Sequence, residues 1–471
     1  MTAQLEKIKS FILEWNDRNT DTYYNAAKEI WDTPELSMQE YKSANTLMNL
    51  LEKNGFTIER NVAGMPTAFI ATYGQSRPVI GINAEYDALP GLSQSDSTLI
   101  KEAIIEGAPG HGCGHNLLGT GGVKAAIAIK EAIDKFKLSG TVKIIGAPAE
   151  ELCLGKPFMG KEGYLDGFDA ILDWHPWSYN KADYDSCCAY FSVKYHFRGR
   201  TSHGNSPWHG RSALDAAILQ SHGVEMLREH IYPGCPPDAA NTINFTFTNT
   251  GPEFPSVVPD TTTAWYVGRF ITTEDAESAL ERITKCAKGA AMSTETEVEV
   301  ELITATHHKI PNKALAEIVH KNFQLVGPPK FTEDEQNIAK KIQKEIGVPM
   351  TGLATQIMPF DGGYTVVCDT PEYSWNAPYA ATWIAMGPEN TGWHHWGIAR
   401  CAADTMGQKS MDTAAKVISL SAIDLLCSAD TVDKAKAEFL EKLEGRKYKC
   451  LLPDHYKAPI NLNMDVMSKY K

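Results

Sequence analysis

RPVIGINAEY (77–86) is the stretch from which the architecture is read. Its apolar run is bounded by turn residues, the pattern of a strand covered on both faces of a sheet. Working outward, a glycine-rich turn follows, and LLGTGGVKAAIAIKEAIDKF (117–136) reads as a helix. TVKIIGAP (141–148) and DAILDWHP (169–176) read as further strands, while residues 1–55 on the other side read as helices. Strands alternating with helices predict an α/β fold with a mostly parallel sheet.

The pattern changes near residue 187. CCAYFSVKYHFRG (187–199) alternates as a half-buried strand, SALDAAILQSHGVEMLREH (212–230) reads as a helix, and NTINFTFTNT (241–250) and DTTTAWYVGRF (260–270) are strands. A helix over 274–291 and a strand in ETEVEVELITA (295–305) complete an α+β unit, predicted as one antiparallel sheet with helices on one face. The α/β pattern resumes around 311, and 411–428 is a late helix. The expected organisation is therefore a first catalytic part over 1–186, an inserted α+β satellite domain over 187–305, and a second catalytic part over 306–471.

A chain of 471 residues exceeds one ordinary core. With 43% hydrophobic and 22% charged residues it has the balance of a globular protein. The formal net charge of -13 argues against a nucleic-acid partner, which asks for a basic face. No apolar run approaches the ~20 residues of a membrane helix. The opening MTAQLEKIKSFILEWNDR lacks the apolar core and cleavage site of a secretory signal. Ten scattered cysteines without a CxxC pair read as reduced thiols, so a cytoplasmic protein is expected.

Four places at or just after predicted strand ends carry metal-ligand chemistry, and in an open α/β sheet that edge is where ligands bind. They are Glu85-Tyr86-Asp87, His111-Gly-Cys113-Gly-His115, Glu150-Glu151 and His175. Thiol, imidazole and carboxylate are the main protein ligands of zinc and similar ions. Each place also has a plainer reading. A Glu-Glu pair is usually a solvated face, His175 beside Trp174 is more often a satisfied structural histidine, and Cys113 could be a buried thiol. HGCGH is harder to dismiss, because glycines between three potential ligands let the backbone fold tightly around an ion. The templates HExxH, GxSxG and GxxxxGK[ST] are absent from the sequence.

Taken in order, EYDALPG, GHGCGHNLLGT, PAEE, WHP, GRTSHGNSPWHGRSALDA and GWHHWG resemble the amidohydrolase branch of the dinuclear metallopeptidases, which includes aminoacylases and carboxypeptidase G. Within the branch the pattern looks most like one chain of the two-chain p-aminobenzoyl-glutamate hydrolases. The resemblance implies a zinc-peptidase-like catalytic domain interrupted by a satellite domain that dimerises. It implies two divalent ions per chain, Mn2+ or Zn2+, held by Cys113, His115, Glu151, His175 and His394, with the Cys113 thiolate bridging. It implies Glu150 as general base and Asp87 as the carboxylate that orients a ligating imidazole. His203 would reach into a partner's site and stabilise the oxyanion. The chain carries Glu85 where much of the wider family has histidine, and Asn116 where many members have aspartate. His394 and His395 are adjacent, and the family pattern favours His394.

The implied reaction hydrolyses the amide bond of an N-acyl amino acid or dipeptide-like substrate of p-aminobenzoyl-glutamate type. Arg269, Asn249 and Arg211 are the side chains expected to recognise the substrate carboxylate. The expected partner is a second copy of the chain, with a related subunit as the alternative. Two other functions are weighed beside this one: a catalytically weak partner subunit of a hetero-oligomeric hydrolase, and a metal- or small-molecule-binding protein without turnover. The aromatic stretch YSWNAPYAATW (373–383) reads as core or as the wall of an apolar pocket.

Overall fold

A computed structural model describes residues 3–235 and 239–470. The chain opens with helices α1 (Ala3–Arg18), α2 (Thr20–Asp32) and α3 (Tyr41–Lys53), then strands β1 (Thr57–Arg60), β2 (Phe69–Gly74) and β3 (Val79–Ala84). Next come α4 (His115–Phe136), β4 (Thr141–Gly146), α5 (Gly155–Lys161), β5 (Ala170–Leu172), β6 (His175–Trp177) and β7 (Lys181–Asp183). A second group follows: β8 (Ala189–Arg198), α6 (Ala213–Arg228), β9 (Thr242–Asn249), β10 (Thr261–Phe270), α7 (Thr273–Thr294) and β11 (Glu297–Thr306). The chain then forms α8 (Lys313–Val326), α9 (Glu333–Ile346), β12 (Tyr379–Ala385), α10 (Trp396–Cys401), α11 (Thr405–Cys427) and α12 (Ala429–Leu443).

The larger sheet has eight strands in the order β1-β2-β4-β3-β5-β12-β6, with β7 also paired to β12. Its central pairings, β4 with β3, β3 with β5, and β12 with both β5 and β6, are parallel. Antiparallel pairs are confined to the flanks, β1 with β2, β2 with β4, and β7 with β12. The central strands are apolar because helices cover both faces; β12, YAATWIA, is buried along its whole length. Helix α4 is buried nearly all round, and its glycines bring it onto β3. A Cβ at Gly122 would stand 2.5 Å from Asn83 O, and one at Gly119 would stand 2.5 Å from Glu85 O. That close approach fixes the carboxyl end of β3 against the first turn of α4.

The smaller sheet is antiparallel, in the order β9-β10-β8-β11, and is drawn wholly from residues 189–306. Strand β10 alternates buried and partly exposed positions, so one face packs on α6 and α7 and the other is open. Its core is continuous with residues of β4 and α5 through Phe191, Phe158 and Ile145.

Most expected elements stand where the sequence puts them. DAILDWHP is the correction, because the run is two short strands rather than one. Asp173 Oδ1 accepts the Trp174 backbone N–H at 2.7 Å, which interrupts the ladder between β5 and β6. Among the described residues no helix is long and apolar enough to cross a membrane.

Candidate metal centre and active site

The four sequence motifs meet at the carboxyl ends of β3, β4 and β5 and at the start of α4. Gly114 takes a left-handed conformation (φ 81°), so the chain turns sharply between Cys113 and His115, the first residue of α4. After β4, Ala149 (φ 57°) leads into a short turn that presents Glu150 and Glu151. His175 opens β6, and His394 (φ 60°) comes from the loop before α10. Three sets of donor atoms result, each within 4.8 Å of one another: Cys113, His115 and His175; Cys113, Glu151 and His394; and Glu85, His115 and Glu150. The first two share the Cys113 sulfur.

His115 and His175 each have one ring nitrogen engaged and the other turned to the cluster. His115 Nδ1 donates to Asp87 Oδ1 at 3.0 Å, leaving Nε2 3.5 Å from Glu85 and 3.7 Å from Glu150. Asp87 is itself held by Ser37 Oγ at 2.7 Å and the Glu151 backbone N–H at 3.0 Å. His175 Nδ1 donates to Pro176 O at 2.6 Å, and its Nε2 lies 3.4 Å from Cys113 Sγ. His394 Nε2 lies 3.2 Å from Glu151 Oε2. His395 instead accepts the Gly397 N–H as the cap of α10. His111 also leaves the cluster, pairing with Ile30 O at 3.2 Å. Asn116 binds the carbonyls of Ala27 and Ala402 between helices, so its role is packing.

These residues fit a pair of cations. His115 Nε2 and Glu151 Oε1 are buried and have no hydrogen-bond partner among the described residues, an expensive arrangement for a site without a ligand. Burial, reinforced by Glu151 and Glu150, pushes the Cys113 thiol well above its ordinary value. Burial, and then the neighbouring His115, lowers His175 to about 4. Imidazole, thiol and carboxylate groups sharing one buried site make a donor set suited to zinc or manganese.

Glu85 is not free to join them. Its Oε1 is 2.7 Å from Lys156 Nζ and accepts from Asn83 Nδ2 at 2.8 Å. Burial pushes its carboxyl up, yet the Lys156 ammonium and then His115 outweigh burial and hold it low. Glu150 is raised well above the usual carboxylate range by burial, then by Glu85 and Asp369. Its carboxylate makes no hydrogen bond to a described residue. Lys156 also pairs with Asp369 at 2.5 Å. Sequence reading passed over both. The one local signal was Lys156 alone among apolar residues in LCLGKPFMG, where a buried cation needs a buried anion.

The cavity in front of the cluster encloses about 230 Å³, with Glu150, His175 and His394 in its lining. Tyr379 and Trp383 of the aromatic stretch line it, whereas Tyr373 is fully buried and donates to Asn83 Oδ1 at 2.8 Å. The expected satellite residues do not line it. His203 is exposed, its Nδ1 accepting the Asn205 N–H at 3.0 Å. Arg211 pairs with Glu295 at 2.6 Å, Asn249 Oδ1 accepts the Gly251 N–H at 2.8 Å, and Arg269 lies over the Tyr190 ring.

Residues 81–397 match the family described as peptidase family M20/M25/M40. The chain is 32% identical to a p-aminobenzoyl-glutamate hydrolase subunit of Escherichia coli (strain K12), over 95% of this chain and 98% of that protein. It is 28% identical to the Xaa-Arg dipeptidase of Mus musculus, over 70% of this chain and 74% of that protein. Among solved structures its fold is similar to a dinuclear metal binding peptidase of Bacillus subtilis (TM-score 0.58, 18% identity, 87% of this chain and 99% of that one). It is also similar to the aminobenzoyl-glutamate utilization protein of Klebsiella pneumoniae (TM-score 0.54, 16% identity, 84% and 97%). The chain belongs to peptidase family M20/M25/M40 and is a metal-dependent hydrolase of that family.

Proposed function

We propose that this protein hydrolyses the amide bond of N-acyl amino acids or dipeptide-like substrates of p-aminobenzoyl-glutamate type, releasing an amino acid with a free carboxylate. The observation that carries the reading is the pair of donor sets sharing Cys113, with the Glu150 carboxylate beside them and free of hydrogen bonds to the described residues. The full-length similarity to a p-aminobenzoyl-glutamate hydrolase subunit supports the substrate class.

Cys113, His115 and His175 would hold one divalent ion, and Cys113, Glu151 and His394 the other, manganese or zinc. Bound there, the ions supply Lewis acidity that makes water more acidic and polarises a carbonyl. Asp87 keeps His115 in the tautomer that turns Nε2 inward. Lys156 and Asn83 occupy Glu85, which leaves Glu150 as the carboxylate able to take the proton of the attacking water and return it to the leaving amine. His203, reaching over from a second copy of the chain, donates to the oxyanion. Arg269, Asn249 and Arg211 hold the substrate carboxylate from the satellite side.

The same reading divides the chain into a catalytic domain (1–186 and 306–471) and an inserted dimerisation domain (187–305). It places the enzyme in the cytoplasm, which the free state of the described cysteines supports. It makes the assembly a homodimer, with a related subunit as the alternative partner, since the Escherichia coli relative is named as a subunit.

The test is a panel of N-acyl amino acids and dipeptides, p-aminobenzoyl-glutamate included, incubated with protein loaded with manganese or zinc. Products are read by mass spectrometry beside the metal content. Cleavage at the amide by protein holding two ions is the expected result. Protein that holds both ions and leaves every member intact overturns the reading.

A further inference from the structure

One wall of the cavity is built of indole rings. Trp177 lies two residues beyond His175 on β6, Trp383 stands directly opposite His175 in the register of β12, and Trp393 precedes His394. Ring centroids are 4.5 Å apart for Trp177 and Trp393, 5.0 Å for Trp177 and Trp383, and 5.3 Å for His175 and Trp383. The rings form one aromatic surface that begins at an imidazole of the metal cluster. Trp177 and Trp393 are only half-buried, unlike side chains sealed in a core. Trp383 is 6% exposed, yet its indole N–H and that of Trp393 have no hydrogen-bond partner among the described residues. A buried tryptophan N–H usually finds one.

Charge orients the substrate in this cavity. Glu150, Asp173 and Asp183 line it, and its cation, Lys309, is already bonded to Asp183 at 2.5 Å. With its lysine already paired, the cavity offers a substrate carboxylate no free cationic side chain among the described residues, so the acyl half is the half placed inside.

We infer that Trp177, Trp383 and Trp393 form the acyl subsite of the reaction proposed above, and that they select a flat aromatic acyl group over an aliphatic one. Aromatic rings at these separations attract beyond the area they bury. The inference rests on the N-acyl amino acid reading.

Benzamide is the binding probe, with acetamide and lysinamide as aliphatic and cationic counterparts, each followed by calorimetry on the metal-loaded full chain. Benzamide should bind at least about tenfold more tightly than either. Trp177→Ala and Trp393→Ala should each weaken it about tenfold, and Trp177→Phe should restore most of the loss. In turnover, the kcat/KM ratio of N-benzoyl-glutamate to N-acetyl-glutamate should be well above one in the wild type and fall toward one in Trp393→Ala. Equal binding of benzamide and acetamide, tighter binding of lysinamide, or an unchanged ratio in both alanine variants overturns the inference. If an alanine variant does not fold, the ranking of probes by the wild type and Trp177→Phe still decides. Benzamide ranking as expected without cleavage of any N-acyl amino acid leaves the subsite standing and removes the functional reading. Cleavage without aryl preference does the reverse.

Discussion

Around the eight-stranded sheet the charged side chains singled out from the sequence, His394 apart, are buried against one another, whereas in the four-stranded sheet they face solvent wholly or in part. Asp87, His115 and Glu85 are each at most 1% exposed, and Lys156 is wholly buried between Glu85 and Asp369. His203 and Asn249 are exposed, and Arg211 and Arg269 half-exposed, none of them against the cavity. A buried ion network is costly unless every member is paired, so its geometry is set when the chain folds. An exposed arginine or histidine is held in place by little and acts only when something is brought to it. The contrast is one of constraint: the groups around the larger sheet are fixed by several partners each, those of the smaller sheet by few.

The strongest test of that division is Glu150→Gln. It should retain the metal while kcat falls roughly 10²–10⁴-fold, because shape is kept and the proton acceptor is lost. Glu151→Gln, Cys113→Ala and His115→Ala should instead lose metal, read by elemental analysis of protein that otherwise carries two ions per chain. Near wild-type kcat in Glu150→Gln, or collapse of its metal content, would falsify the assignment.

His203→Ala should cost roughly 10²–10³-fold in kcat with metal content intact, the usual loss of an oxyanion donor. If His203 serves the other chain, co-refolding Glu150→Gln with His203→Ala restores one intact site per mixed dimer. About a quarter of all sites then recover, by the symmetry of an isologous pair. Mixed dimers seen by native mass spectrometry without activity would remove His203 from the neighbouring site.

Arg269→Ala and Arg211→Ala should raise KM about tenfold for a substrate with a free carboxylate, with kcat little changed. The exposed pair of Arg211 and Glu295 contributes no more than about 1 kcal/mol, so urea unfolding should hardly move. A large loss of stability without a KM effect would make these residues structural.

The smallest effect concerns acid stability. Burial, then the neighbouring His115, lowers His111 to about 3. The unfolded chain binds this proton near pH 6.5 and the folded chain does not, so stability falls as pH drops below about 6.5. Between pH 7 and pH 5 the group should account for about 2 kcal/mol of the loss. Urea midpoints of metal-loaded His111→Gln should therefore depend less on pH than those of the wild type. An identical pH dependence would show that this histidine does not carry the effect.

How far the site could be read from the chain varies by residue. The alternation around RPVIGINAEY gave the class of fold, and the strand-end motifs named the residues that now stand together. Lys156 and Asp369 escaped because they are 213 positions apart: the apolar setting of Lys156 asks for a buried anion, and nothing local says which one. The break between Asp173 and Trp174 escaped because it depends on a single side-chain bond within an otherwise apolar run. The choice between His394 and His395 came from resemblance. In the structure, the left-handed backbone at His394 turns that side chain to Glu151, and His395 is occupied as a helix cap.

What the sequence determined by itself is local: which segments are strands or helices, and which of them end in thiol, imidazole and carboxylate. Periodicity and side-chain chemistry are properties of neighbouring residues, so they can be read without coordinates. Only the tertiary structure decided that two donor sets share one sulfur, that Lys156 withholds Glu85 from them, and that three distant tryptophans wall the same cavity. Parallel strands align their carboxyl ends wherever they lie in the chain, and burial then makes each charge answer to whatever partner that alignment brings.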